Sequence, residues 1–504
     1  MVHVVATLPE RTRGLIIERP ATRYDSAMTR GSQAIRTIIA AVLLGATSPA
    51  IAATVTSGGH AFDAAQLSLV WGIPFVGLLL AIALVPMASH QFWHDHFGKV
   101  SAGWAAVLLA PMALVFGAGT ALHGVAHALL LEYVPFVVIL FALYTIAGGI
   151  CVHGHVAGTP ARNTALLALG AALASVMGTT GASMLLIRPL LTGNEGRQHR
   201  VHAVVFFILL VGNVGGALSP LGDPPLFIGY LKGVDFFWTT RALALPTIAL
   251  CAALLAAFYV LDSIFARREP PPIEPEITRG PIRLEGARNL LLLAGVVGAV
   301  LLSGAWEPGI VFDVLGAPVE LQNAVRDVLL VGLALLSLAI TPRGVRERNA
   351  FHWAPIVEIA KIFAGIFVTI IPVIAMLQAG KDGALSPVIA LVTAPDGTPR
   401  DPMYFWATGA LSAFLDNAPT YLVFFKLAGG DAQALMGPLA GTLSAISMAA
   451  VYFGALTYIG NAPNFMIKAI AEDRGIAMPG FFGYLAYASL ALLPLLAIIA
   501  IVMF

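Results

Sequence analysis

Apolar residues run through this chain in stretches too long for a soluble core. Continuous runs near 69–88, 101–118, 134–152, 241–264, 288–304, 324–341, 354–378 and 482–504 each approach the ~20 residues a helix needs to cross a bilayer. They predict eight transmembrane helices. Two further regions, 163–230 and 403–470, are as apolar but repeatedly interrupted by Gly, Pro and small polar residues. The first 55 residues read two ways. Arg30 and Arg36 precede TIIAAVLLGA and then SPAIAA. That layout fits a secretory signal peptide starting at Met28 after a basic extension, and equally an uncleaved first helix.

Composition agrees with the pattern. The 504 residues are 58% hydrophobic and 11% charged, with mean hydropathy +0.86. Soluble domains carry about 25% charged residues, so an all-α polytopic membrane protein, held in a lipid bilayer, is expected. A net charge of +1 gives no basis for a nucleic-acid partner. Cys151 and Cys251 both lie in apolar stretches and read as small buried residues, with no disulfide or metal site implied. No GxxxxGK[ST] motif and no hydrolase nucleophile motif occurs. A non-enzymatic chain with no cofactor beyond coupling ions follows.

Basic residues set the orientation. The Pro-rich segment 265–288 carries Arg267, Arg268, Arg279, Arg283 and Arg288, and 342–350 carries Arg343, Arg346 and Arg348. Both are expected in the cytoplasm of a cell with a bacterial-type inner membrane. The acidic loop 305–323, with Glu307, Asp313 and Glu320, then falls outside, as does the C-terminus.

The two interrupted regions resemble each other. TTGAS at 179–183 is followed by SPLGDPPL at 219–226, and DNAPT at 416–420 by TYIGNAPN at 457–464. Ser219 meets Thr457, Gly222 meets Gly460, Asp223 meets Asn461 and Pro225 meets Pro463; Ser183 is matched with Thr420. Breakers recurring in two halves are the best sequence pointer to a transporter's binding site. A re-entrant hairpin at 163–190 entering from the cytoplasm places Arg197 and Arg200 inside and Lys232 outside. A second hairpin at 403–427, entering from the outer face, places Lys468 and Arg474 inside. The reading is an inverted repeat, 56–264 and 289–504 around the linker 265–288, with broken helices at 201–230 and 438–470.

Non-helical backbone at membrane depth is tolerated only where it lines protein or a wet cavity. Carbonyls and Ser, Thr and Asn oxygens suit a small hard cation such as Na⁺. The candidate cation or substrate ligands are Thr180, Ser183, Asn213, Ser219, Gly222, Asn417, Thr420, Thr457, Gly460, Asn461 and Asn464. Asp223 and Asp416 are the candidate proton- and cation-bearing carboxylates. Each could alternatively serve as a helix cap. Two carboxylates repel a dicarboxylate and attract cations, and a desolvated carboxyl holds its proton more tightly than one in water. Glu358 and Lys361 sit three apart on an apolar helix, as an ion pair or part of a proton path. Arg188 is expected to snorkel to the cytoplasmic interface, or else to close the hairpin or meet an anion. His123 with His127, and the HxH pairs at 94–96 and 153–155, read as interfacial histidines.

In TTGASMLLIRPLL, GNVGGALSPLGDPPLF, LDNAPTYLVFF and TYIGNAPNFM the chain resembles the ion transporter superfamily. It is similar to the citrate-transporter-like proteins often labelled sodium:proton antiporters. The resemblance covers about 69 to 504. It implies a scaffold and a transport domain in each half, a hairpin and a broken helix per repeat, a homodimer, and elevator-type alternating access. Dicarboxylate carriers of the superfamily bear Ser-Asn-Thr at both tips and usually Thr-Pro-Pro where this chain has Asp223-Pro224-Pro225. The departure favours a Na⁺ (monovalent cation)/proton antiporter. The alternative is a Na⁺- or H⁺-coupled carrier of citrate or another organic anion.

Overall fold

The computed structural model describes residues 67–153, 158–269, 283–349 and 351–504. The segment read as signal peptide or first helix lies outside the described residues, as do 270–282 of the linker and the second histidine of the pair at 153–155. Among the described residues, eight helices are long and apolar enough to cross a bilayer, and a bent pair adds a ninth. The protein is an all-α, multi-pass membrane protein.

Helix α1 (Ile73–Ala88) is followed by α2 (His90–Phe116). The latter starts well before the apolar run at 101. Ser89 caps it by accepting from Phe92 N, and Gln91 donates to Asp95 one turn on (2.8 Å). Such local bonds hold a polar first turn that hydropathy does not register. Next, α3 (Ala118–Ala128), a π-helical turn Leu129–Tyr133 and α4 (Val134–Ala147) make one 30-residue span. Two helices then pack on each other, α5 (Pro160–Met177) and α6 (Thr179–Gly193). The broken segment follows: α7 (Val201–Leu210), a 3-10 turn Val214–Leu218 and α8 (Pro224–Leu231). Helix α9 (Trp238–Arg268) ends this half.

The second half follows. It comprises α10 (Arg288–Ala305), α11 (Leu321–Ile340), short α12 (Arg343–Arg348), and α13 (Ala354–Thr369) bent by 41° from α14 (Ile371–Gln378). After α15 (Ser386–Val392) come α16 (Asp401–Leu415) and α17 (Asn417–Leu427), then α18 (Ala432–Met436). The second broken segment is α19 (Ala440–Phe453), a 3-10 turn Gly454–Leu456 and α20 (Ala462–Asp473); α21 (Phe481–Met503) closes the chain. Strand β1 (Cys151–His153) pairs antiparallel with β2 (Arg283–Glu285), so the linker read as 265–288 is ordered at both ends: α9 runs on through Arg268 and β2 occupies 283–285. Strands β3 (Val311–Val314) and β4 (Ala317–Glu320) form a hairpin between α10 and α11.

The broken segments lie at the centre. Nearly every residue of α7 and α19 is buried, whereas α9 and α21 bury one stripe and expose residues such as Leu245, Leu490 and Ile501. In lipid, close approach of helices depends on small residues rather than on expelling water. Gly215 sits so tightly on Ala171 of α5 that a Cβ would fall 2.5 Å from its backbone; Gly409 of α16 meets the Phe453 ring in the same way.

Helices α5 and α6 fold back antiparallel. Asn163 and Asn194 exchange two side-chain bonds of 3.0 Å at their open end, where Gly158 N also reaches Gly193 O (2.8 Å). A buried ionic cluster fastens that end to α7 and α9. Arg197 contacts Asp262 (2.5 Å) and Glu269 (3.2 Å), and His202 contacts Asp262 (2.8 Å). Buried charges of this kind stand because each is paired.

Candidate functional site

Both helix pairs turn on one residue with left-handed φ. It is Gly178 (φ 81°, ψ 149°) between α5 and α6, and Asp416 (φ 79°, ψ 138°) between α16 and α17. Glycine takes this conformation freely; for aspartate it costs about 1 kcal/mol or more. The breaks match as well. Ser219 and Thr457 are extended (φ −148° and −133°), as are Asp223 and Asn461 (φ −140° and −155°) just ahead of α8 and α20. Prolines at the first helical positions lose no bond, since those amides have no helical partner.

The break in each half is stapled to the adjacent helix pair by a hydroxyl. Ser219 donates to Ser175 O and Thr457 to Ala413 O, each reaching back 44 residues. Asp223 and Asn461 stand 238 residues apart, and so do Gly178 and Asp416. That constant register sets Thr179 opposite Asn417 and Ala182 opposite Thr420. The sequence match of Ser183 with Thr420 is therefore off by one; Ser183 falls opposite Tyr421.

Side chains from both halves converge on Asp223, which is 1% exposed. Its Oδ1 accepts from Thr179 Oγ1 (3.0 Å) and Asn461 Nδ2 (2.9 Å), and its Oδ2 from Asn417 Nδ2 (2.5 Å). The network continues through carboxamides. Asn461 Nδ2 also lies 3.1 Å from Asn213 Oδ1 and from Gly212 O. Asn213 donates to Asn464 Oδ1 (2.7 Å), and Asn464 to Gly454 O and Thr457 O (2.8 Å each). Every donor to Asp223 is neutral. Beside it, Asn417 Oδ1 is buried and has no hydrogen-bond partner.

The structure sorts the predicted ligands. Asp223, Asn213, Asn417, Asn461 and Asn464 come together. Ser219 and Thr457 spend their protons on the staples, and Thr420 donates to Asp416 O (2.7 Å). Gly222 and Gly460 are crossing points, where a Cβ would fall 2.0 Å from Gly216 O and 2.6 Å from Gly454 O. Thr180 lines a small cavity of about 40 Å³ with Asp223, between the α5–α6 tip and the apolar faces of α4 (Phe136, Leu140) and α13 (Ile356, Ile359). Ser183 is buried with a partnerless hydroxyl. Asp416 is half-buried, caps α17 through Ala418 N (3.2 Å), and lies close enough for its charge to act on Asp223. Sequence reasoning missed Thr179, whose signal was its place directly after Gly178.

Glu358 and Lys361 turn away from this site. Glu358 accepts from Trp93 Nε1 (3.2 Å) and Lys361 Nζ lies 5.4 Å from the Phe97 ring centre, both on α2. Arg188 reaches Asn349 Oδ1 (3.2 Å) in the loop after α12 and so ties the helix pair to that loop. His123 and His127 lie side by side, ring centres 6.5 Å apart. Sequence reasoning also missed Glu132, which pairs from the π-helical turn with Lys232 at the end of α8.

The strained tip gives a separable test of Asp416. Asp416→Gly is expected to preserve folding, because glycine accepts φ 79°, while weakening transport through loss of the carboxylate. Asp416→Ala keeps the strain and loses the cap, and is expected to be less stable by about 1–2 kcal/mol. Thermal melts and flux of both variants check this.

No curated protein matches the chain. A family described as "Putative citrate transport" matches residues 64–504, nearly the whole chain and all of the site. The chain therefore belongs to this citrate-transporter-like ion transporter family, as a multi-pass membrane carrier of the secondary-transporter class.

Proposed function

We propose that the protein is a secondary antiporter exchanging Na⁺, or a similar monovalent cation, for protons, with Asp223 as the shared carrier of both. The carrying observation is a fully buried carboxylate whose three donors, Thr179, Asn417 and Asn461, are all neutral. An unpaired buried charge is very costly, so such a group takes up a proton or a cation. The partnerless Asn417 Oδ1 supplies a second hard oxygen for a cation. An anion finds no matching welcome at the first break. Pro224 and Pro225 have no N–H, and Leu226 N is bonded to Asp223 O (3.1 Å). Asp416 adds a second negative charge.

The two halves are an inverted repeat in this reading. Each comprises three crossings, a re-entrant hairpin (α5–α6, α16–α17), a broken crossing and a last helix; five crossings per half give opposite topology. The Arg-rich linker lies in the cytoplasm, the C-terminus outside, in a bacterial-type inner membrane. The hairpins and breaks move together past α4 and α13 in an elevator-type cycle, within a homodimer.

A second reading, coupled uptake of citrate or another organic anion, draws on the family's description. It draws also on the amino end of α6, where Thr179, Thr180 and Gly181 face the cavity and helix-end amides suit an anion. Proton release separates the two. Adding Na⁺ to the purified protein in weakly buffered detergent is expected to release protons, and adding citrate is not. Citrate binding without any Na⁺-linked proton release would favour the second reading.

A further inference from the structure

Three buried hydroxyls stand in the second half: Tyr404 OH and Thr408 Oγ1, which have no hydrogen-bond partner among the described residues, and Ser447 Oγ, which has at most the Tyr421 hydroxyl beside it. All three residues are fully buried. Tyr404 and Thr408 are one turn apart on α16 and so share a face. Helices α16 and α19 run parallel, for Thr442 Oγ1 bonds Asp401 Oδ1 (2.5 Å) at their first turns and Ser412 Oγ bonds Ala450 O (2.6 Å) near their last. In that register Ser447 lies level with Thr408. The Tyr404 ring packs on Phe424 of α17 (ring centres 6.2 Å apart), so a third helix joins the pair at that level. At one end Asp401, half-buried, sits near the Tyr404 phenol. At the other, Ser447 neighbours the Tyr421 hydroxyl, which presses on Gly229 of α8, the helix that Asp223 begins.

The corresponding positions of the first half, 238 residues earlier, are Leu166, Gly170 and Leu209. The polar thread therefore belongs to one half alone. Symmetric packing does not require it, and an apolar version of the same helices exists within the same protein. Native buried hydroxyls find partners, and where protein offers none, bound water does.

We propose that Tyr404, Thr408 and Ser447 hold a file of water that carries protons between Asp401, at the open end of the second hairpin, and the site at Asp416 and Asp223. The role as a proton route rests on the exchange reading above. Each water or hydroxyl accepts a proton on its oxygen and passes on its own, so no member of the thread changes net charge over a cycle. The proton leaves or joins a carboxylate only at the two ends.

Two measurements on the full chain test this. In a nanodisc map fine enough to show water, ordered waters are expected within hydrogen-bonding distance of all three hydroxyls, and dry hydroxyls would overturn the proposal. In proteoliposomes, the double variant Thr408→Val, Ser447→Ala is expected to slow Na⁺-driven proton movement about tenfold or more. Its Na⁺ affinity, read by Na⁺-dependent thermal stabilisation, is expected to stay within about twofold of the parent. Unchanged proton movement in the folded double variant overturns the route. If the parent protein itself moves no protons under a Na⁺ gradient, the exchange reading fails; the map then decides whether the thread holds water. Tyr404→Phe serves as the second variant should the double one not fold.

Discussion

Asp223→Asn is expected to reduce Na⁺-driven proton movement about a hundredfold or more while the protein still folds. The substitution is nearly isosteric and leaves Thr179, Asn417 and Asn461 in reach. It removes the carboxylate proposed to alternate between proton and cation. The structural cost is small for a physical reason. Asn introduces a donor among donors, an unmatched contact of about 1–3 kcal/mol, but it also removes a buried charge that no cation pairs. The melting temperature is therefore expected to stay within a few degrees of the parent's. Flux normalised to reconstituted protein, with a thermal melt of the same preparation, checks both halves. Full activity would leave Asp223 with the purely structural role of starting α8.

The second large effect is expected at Gly222. A Cβ there would lie 2.0 Å from the Gly216 carbonyl oxygen, and the obstacle is backbone rather than a flexible side chain. Gly216 is itself closely neighboured, since a Cβ there would fall 2.6 Å from Thr179 and 3.2 Å from Asp223. Gly222→Ala must therefore force these two backbone stretches of the break apart, disturbing Gly222, whose carbonyl accepts from Thr179 N, and the adjoining Asp223. Overpacking of this kind costs about 1–3 kcal/mol, and here it falls on the site itself. Transport is expected to vanish and the melting temperature to fall by several degrees. Gly460→Ala, with 2.6 Å to Gly454 O, is expected to act in the same direction but more weakly. Gly103→Ala in α2 is the control, because nothing lies within 4 Å of its Cβ and alanine favours helix by about 1 kcal/mol. A Gly222→Ala protein with normal melting and flux would mean that the two glycines do not need to cross.

Much of this was legible in the sequence because bilayer physics is blunt. Long apolar runs marked the spans, and Pro and Gly inside two of them marked the breaks. What stayed hidden was local. Residue type paired Ser183 with Thr420, whereas the backbone pairs Gly178 with Asp416, two residues alike only in conformation. That slip concealed Thr179. A sequence shows the oxygens of Ser219 and Thr457 without showing where their protons go; both go to the neighbouring helix. Glu358 and Lys361 have the spacing of a helical pair, yet each has a partner on α2. The early start of α2, the π-helical turn at Leu129–Tyr133 and the β3–β4 hairpin depend on caps and short-range bonds, which leave little trace in hydropathy.

The proposed exchange rests on the asymmetry of charge between the halves. Two breaks of the same shape carry Asp223 on one side and Asn461 on the other, and the carboxylate is held by neutral groups alone.

The most direct measurement is proton movement in proteoliposomes containing only this protein, with an imposed Na⁺ gradient and no organic anion. The account predicts that inward Na⁺ drives protons outward, that reversing the gradient reverses the pH change, and that Asp223→Asn abolishes both. No Na⁺-dependent proton movement, together with citrate accumulation under the same gradient, would contradict it.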